Sequence, residues 1–418
     1  MFTYFREMKN YVRGLVLILL AGCANPSLKI EPGTWRATLT REDGKLIPFN
    51  FELKDSAGKY LCYFQNAAER ILADSVVVSG DSIWMQMPFF DSKIIAKISN
   101  GKMEGSWIRQ LQDSTQAIPF KAESNVTERF INSNKNNHHS IAGRWAVDFV
   151  TVSAGDTTLS VGEFSQKGET VTGTFLTPTG DYRYLSGIVD GDTLKLSCFD
   201  GGHAFLFTAH INDDYNLSDG YFYSGLTYFE KWTAQKNDTA KLGDEYALTK
   251  LKKNAGKIDF KFAGIDGDSV SIHDERFKNK VVLLQLMGSW CPNCMDETAF
   301  LSDYYNRHHS DGIEMIGLAY ERSTDFERSQ KTLRTFQKRF DVQYPMLITG
   351  VTVSDTLRAE KTLPQLEKII AFPTLIFLDK KGTVRTIHTG FTGPGTGIHY
   401  EHFKNDFDKI VGALLKEK

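Results

Sequence analysis

The sequence predicts a multidomain chain: an N-terminal all-β tandem repeat, then an α/β domain with a mixed central sheet and helices on both faces. Three observations predict it. Apolar residues alternate with period two through much of residues 30–236. Sequence anchors in the first half of that region return about 110 residues later. From Ile258 the texture changes to strands alternating with helices. At 418 residues the chain is too long for one ordinary domain. With 41% hydrophobic and 24% charged residues it is globular rather than disordered. A net charge of −2 without a basic stripe excludes nucleic acid as a partner.

Residues 1–23 read as a targeting segment. Arg6, Lys9 and Arg13 form a positive leader, and Leu15 to Leu20 is an apolar run too short to span a bilayer. Met8 as the start leaves this unchanged. The run ends in Leu20-Ala21-Gly22-Cys23, which resembles the lipobox of bacterial lipoproteins. That resemblance implies cleavage before Cys23 and lipidation of its thiol. Several acyl chains on one residue give stable anchoring, since each buried CH₂ contributes about 0.8 kcal/mol. The mature chain is then expected in the cell envelope, lipid-anchored and periplasm-facing, where disulfides persist.

Two β-rich repeats are expected at 30–125 and 140–236. Gly33-Thr34-Trp35 recurs as Gly143-Arg144-Trp145, Gly58 as Gly168, and Gly80-Asp81-Ser82-Ile83 as Gly191-Asp192-Thr193-Leu194. Ile83, Met85 and Met87 share one strand face, and Leu194, Leu196 and Cys198 match them. Two small antiparallel barrels or sandwiches fit this pattern, as does one larger sheet assembly. The polar stretch Asn132 to Ser140 reads as a linker, and residues 237–257 as a second one.

The α/β domain is expected at 258–418. Val281 to Met287 reads as a buried central strand, apolar except for Gln285. A helix opens at Cys291 and runs to about Asn306, and Ile313 to Tyr320 is a second strand. Helices follow over Thr324–Phe340 and around Asp355–Lys368, then a strand at Thr374–Leu378. Asp379 to Gly382 turns the chain into Val384–Thr389, and Tyr400–Leu415 closes the domain as an amphipathic helix.

The chemistry lies in Trp290-Cys291-Pro292-Asn293-Cys294. Two cysteines at this spacing share one helical turn. Cys291 falls at the helix N-terminus, where unpaired N–H groups and the macrodipole favour a thiolate, the attacking species. Pro292 suits the first helical position because it has no N–H to leave unsatisfied. Cys294, one turn in, is expected to be the shielded resolving thiol. A zinc site would need a second ligand pair, and no other CxxC exists. No metal or other cofactor is implied.

Residues from about 255 to 418 resemble the TlpA/ResA-like branch of the thioredoxin superfamily. The resemblance is carried by Val281-Val282-Leu283-Leu284, Gly288-Ser289-Trp290-Cys291, Glu297 three residues past Cys294, and Phe372-Pro373-Thr374 before a strand. It implies a thioredoxin fold and a thiol–disulfide oxidoreductase that reduces protein disulfides. In some relatives the substrates are apocytochromes c, and a membrane thiol-reducing donor is implied as a partner. Pro373 carries over as the cis-proline facing the CxxC, with Phe372 placed to pair with an extended substrate chain. Glu297 carries over as a proton-handling neighbour of Cys294, and a carboxylate there disfavours a nearby thiolate. Gln285, six residues before Cys291, departs from thioredoxin itself, which has a buried Asp at that position. The proton-handling task then falls to Glu297 or water.

Gly390 to Gly397 superficially resembles a phosphate loop but lacks the Gly-Lys-Ser/Thr ending, and reads as a flexible loop beside the active site. His399 and His402 read as solvated helix-start residues, and Cys198 as an inert buried thiol. A Cys62–Cys198 disulfide is possible but not suggested by the repeat. Two rival functions share parts of this pattern: a peroxiredoxin-like peroxidase, and an envelope binding protein whose β repeats hold a partner.

Overall fold

The computed structural model describes residues 30–88, 91–111, 114–133 and 139–417. Cys23 and the targeting segment lie outside the described residues, as do residues 134–138 of the first expected linker. Among the described residues no helix is long and apolar enough to cross a membrane.

Among the described residues, the strands form three sheets. The first holds nine antiparallel strands from Gly33–Thr40 to Thr115–Ser124. Its first strand pairs with both the second and the last, and its free edges are Glu69–Leu72 and Ser75–Ser79. The second also has nine strands, from Gly143–Thr151 to Tyr228–Lys236. Here Thr157–Lys167 pairs with Thr170–Thr177 as well as with the first strand, so the hydrogen-bonded ring closes into a barrel. Closure removes the exposed edges that an open sheet must otherwise protect.

Period-two alternation puts Trp35, Ala37 and Leu39 inside the first unit, and Trp145, Val147 and Phe149 inside the second. Each opening tryptophan donates its indole N–H to the carbonyl four residues back. Trp35 bonds Glu31 at 3.2 Å, and Trp145 bonds Ile141 at 2.8 Å. Gly58 and Gly168 both have positive φ, at 83° and 60°, where L side chains are strained.

The gap between the two edges of the first sheet is filled from the second unit. Phe199 stacks on Phe49 at 4.1 Å between ring centres and meets Phe64 and Trp107 edge-on. Asn66, fully buried, donates to the Phe199 carbonyl at 2.9 Å and accepts from its N–H at 3.1 Å. Cys62 and Cys198 are both buried free thiols, in the cores of different units.

The third sheet has seven strands. Val281–Met287 is an interior strand of it, parallel to Ile313–Ala319 and antiparallel to Thr374–Leu378. All seven of its residues are buried. Alternate residues feed two cores. Val281, Leu283 and Met287 face α1 (Pro292–His308), α2 (Phe326–Arg339) and α4 (Ile398–Lys416), while Val282, Leu284 and Leu286 join α3 (Arg358–Thr362). The helix expected around Asp355–Lys368 is shorter than its sequence pattern because Pro364 disfavours the helical conformation at Leu363.

Residues 237–257 run along the α/β domain instead of hanging free. Lys252 N–H donates to the Gln365 carbonyl, Glu367 N–H to Lys250, and Thr389 N–H to Glu245. Buried Thr249 meets Thr389 at 2.8 Å between hydroxyls.

Candidate active site

Where the buried strand Val281–Met287 ends, the chain turns through Gly288-Ser289-Trp290 and starts α1. Cys291 is the N-cap of that helix, with extended backbone at φ −102° and ψ 116°. Its Sγ accepts the Cys294 N–H at 3.2 Å, the bond that a capping side chain makes. Pro292 follows at the first helical position. Cys291 is 5% exposed and Cys294 fully buried. Burial and the neighbouring Cys291 push the Cys294 thiol well above its ordinary pKa.

Opposite the pair, the Phe372–Pro373 peptide is cis. The Cys291 thiol donates to the Phe372 carbonyl at 3.5 Å. Trp290 stands edge-on to Phe372 at 5.8 Å and donates its indole N–H to the Tyr320 carbonyl at 2.8 Å. Thr374 is buried, opposite Leu286 across the sheet, and its hydroxyl donates to Ala371 at 2.8 Å.

Behind Cys294, Glu297 is buried completely. Gln285 donates to its Oε2 at 2.8 Å, while the Gln285 carbonyl oxygen accepts from Thr298 at 3.1 Å. Glu297 Oε1 has no hydrogen-bond partner among the described residues. Desolvation pushes the Glu297 pKa up to about 8, and the Gln285 bond only partly opposes it. The group thus holds a proton beside the thiols near neutral pH, and its charged form grows in as pH approaches 8. When ionised, its charge adds to the upward push on the Cys294 thiol.

The other wall comes from the β units, which sequence reasoning did not foresee. Asn293 lies against the main chain of Asp181, its oxygen accepting the Asp181 N–H at 2.8 Å and its nitrogen donating to the Asp181 carbonyl at 3.3 Å. Gly180 suits that turn, because its φ is 155° and a Cβ would stand 2.0 Å from the end of the Asn293 side-chain amide. Arg183 donates to the Pro292 carbonyl at 3.1 Å and to Asp296 and Glu69. One guanidinium thus ties the first unit, the second unit and the CxxC helix together. Burial pushes Asp296 up to about 6, against the pull of Arg183.

Gly390–Gly397, expected as a flexible loop, is pinned to the same wall. Gly393 N–H donates to Asp181 at 2.8 Å, and Thr396 is buried. His399, expected to be solvated, is half-buried and meets Glu163 of the second unit at 2.9 Å. His402 is exposed. Glu321 and Arg322, also unforeseen, follow the strand Ile313–Ala319. Glu321 accepts from the Ser289 N–H and hydroxyl, and Arg322 lies 5.5 Å over the Trp290 ring. The available signal was topological: loops at the carboxyl ends of neighbouring parallel strands converge on one site. Among the described residues no three His, Cys, Asp or Glu side chains group as metal ligands.

Comparison with known proteins bears on the redox domain. The Redoxin family matches residues 252–398. The chain is 26% identical over 132 residues to the thioredoxin-like protein YneN of Bacillus subtilis, covering 32% of this chain and 68% of that one. It is 26% identical over 140 residues to the thiol-disulfide oxidoreductase ResA of Bacillus thuringiensis, covering 33% and 72%. The sporulation thiol-disulfide oxidoreductase A of Bacillus subtilis is 25% identical over 144 residues, covering 34% and 78%. Among solved structures, a thioredoxin-family thiol:disulfide interchange protein from Chlorobium tepidum is 21% identical. It covers 39% of this chain and 97% of that one, with a TM-score of 0.30.

Proposed function

Because its C-terminal domain belongs to the TlpA/ResA-like branch of the thioredoxin superfamily and is a thiol–disulfide oxidoreductase, we propose that this protein reduces protein disulfides through Cys291 and Cys294, anchored in the cell envelope by lipid on Cys23. The observation that carries this reading is Cys291 capping α1 with its sulfur accepting the Cys294 N–H. That donor and the positive end of the helix dipole both face the Cys291 sulfur, and the helix start holds it one turn from Cys294.

The Cys291 thiolate attacks one sulfur of a substrate disulfide. A mixed disulfide forms and the other substrate sulfur leaves as a thiolate. Cys294 then gives up its proton and attacks Cys291 Sγ, releasing the second substrate thiol. The chain is left with a Cys291–Cys294 disulfide, and an envelope dithiol returns the two electrons. The resolving step needs a proton acceptor beside a deeply buried thiol. The ionised form of Glu297, which grows in as pH approaches 8, fills that role from the α1 side of Cys294, oriented by Gln285, which Thr298 in turn holds. Pro373 and Phe372 form the facing wall, and Trp290 with Thr374 holds it in place.

We divide the chain into a lipoprotein signal at 1–23, β units at 30–125 and 140–236, a connecting strap at 237–257 and the redox domain at 258–418. The matching tryptophan bonds and positive-φ glycines support duplication of one ancestral β unit. The substrates are envelope proteins, apocytochromes c among the candidates.

A redox titration of the reduced, mature chain against defined dithiol buffers tests the reading, with Trp290 fluorescence as the signal. We expect a single two-electron couple near about −270 mV, the thioredoxin end of the scale. A potential near about −120 mV would make the protein an oxidant. Absence of any couple that is lost in Cys291→Ser would remove the assignment.

A further inference from the structure

We propose that the cleft between the first β unit and the redox domain contains an anion subsite, formed by Arg109 and Arg322, that receives an acidic side chain of the substrate close to its disulfide. This names a substrate class and rests on the oxidoreductase reading above.

A cavity of about 60 Å³ opens beside Trp290, the residue before the nucleophile. Ser92 and Arg109 line it from the first unit, and Ser289, Trp290 and Arg322 from the redox domain. Arg109 stacks over Trp107 at 4.9 Å, and Arg322 over Trp290 at 5.5 Å. Each guanidinium therefore has its flat face held by a ring, and among the described residues neither makes a hydrogen bond through its N–H edge. Burial and the Arg322 charge push Arg109 down to about 10, and burial also lowers Arg322. Glu321 offsets part of the Arg322 charge and Asp200 part of the Arg109 charge, yet the two guanidinium groups still repel, and an anion between them relieves that cost.

The carboxylates nearby are already engaged. Glu321 accepts from both the Ser289 N–H and hydroxyl, at 2.9 and 2.7 Å. Asp200 is turned to the amides of Gly202 and His203. Asp91, largely exposed, lies 3.9 Å from Arg328, which also donates to the Leu111 carbonyl. The ligand is thus expected to bring its own negative charge. A flat two-oxygen group matches a guanidinium edge, and a cavity of this size suits a carboxylate. Adjacent Cα atoms are about 3.8 Å apart, so a group beside Trp290 lies within a residue or two of the attacked sulfur along an extended chain.

The test uses the full mature chain and peptides with one disulfide, carrying Glu or Gln at each of the two positions on either side of the attacked cysteine. Neutral hydroxyethyl disulfide is a third substrate that reports the redox pair alone. We expect a Glu-over-Gln preference of about tenfold in kcat/KM at one position, weakening with salt. Arg109→Gln should bring that ratio close to one, and Arg109→Lys should keep part of it. A ratio near one at all four positions, with hydroxyethyl disulfide still reduced, overturns the subsite and leaves the oxidoreductase reading intact. A preference that survives in folded Arg109→Gln overturns it equally. Failure to reduce any of the disulfides overturns both.

Discussion

Glu297 is where function and stability pull apart. Its folded pKa of about 8 lies above the ordinary 4.5. An unfolded chain loses that proton first as pH rises, so the favourable contribution is complete below about pH 4.5 and gone by about pH 8. Since each pKa unit corresponds to about 1.36 kcal/mol, the change is on the order of 4–5 kcal/mol. Urea unfolding of the reduced chain at pH 5 and pH 8 should show this fall, and Glu297→Gln should remove most of it. A slope equal in both proteins would place the titration elsewhere. His388 runs in the opposite sense. Burial pushes it down to about 4 from 6.5, so the unfolded state takes the proton first and stability falls as pH drops through that window. The loss is about 3 kcal/mol by pH 4, read as a shift in urea midpoint that His388→Gln should flatten. Gln285 was legible as a buried neutral residue but its partner was not. Since it donates to Glu297, Gln285→Ala changes pH response as well as packing.

At the level of elements, the helix that carries the cysteines was legible because its signals are local: a buried strand, a tight turn, an N-cap and Pro at the first position. What lies across from it was not legible. The turn around Gly180 is more than a hundred residues away in sequence, and nothing in its composition marks it as part of a redox site. Gly180→Ala should push that turn off Asn293, since the added Cβ would stand 2.0 Å from the end of the Asn293 amide. The expected result is faster alkylation of Cys291 by iodoacetamide at fixed pH, with little change in global melting. Unchanged alkylation would mean that the turn does not shield the pair. Period-two alternation located the strands of both β units, yet it cannot tell an open sheet from a closed one. That difference depends on one extra pairing, Thr157–Lys167 with Thr170–Thr177.

Across the whole molecule, the open first unit completes its core with residues of the second, Phe199, Ala204, Leu206 and Tyr223. Phe199 touches Phe49, Phe64 and Trp107. Phe199→Ala should cost about 3–5 kcal/mol through the cavity left behind. Residues 30–125 expressed alone should aggregate or stay unfolded, whereas residues 24–238 should give β-rich circular dichroism and one cooperative melt. A separately folded first unit would contradict a shared core. The lipid anchor is tested on intact cells: the wild type should enter the detergent phase, and Cys23→Ser should not. The central claim concerns which sulfur attacks. Cys294→Ser, expressed in the envelope and quenched with acid, should accumulate mixed disulfides to Cys291 that resolve on adding dithiothreitol, and Cys291→Ser should accumulate none. Adducts on Cys291→Ser but not on Cys294→Ser would contradict the account.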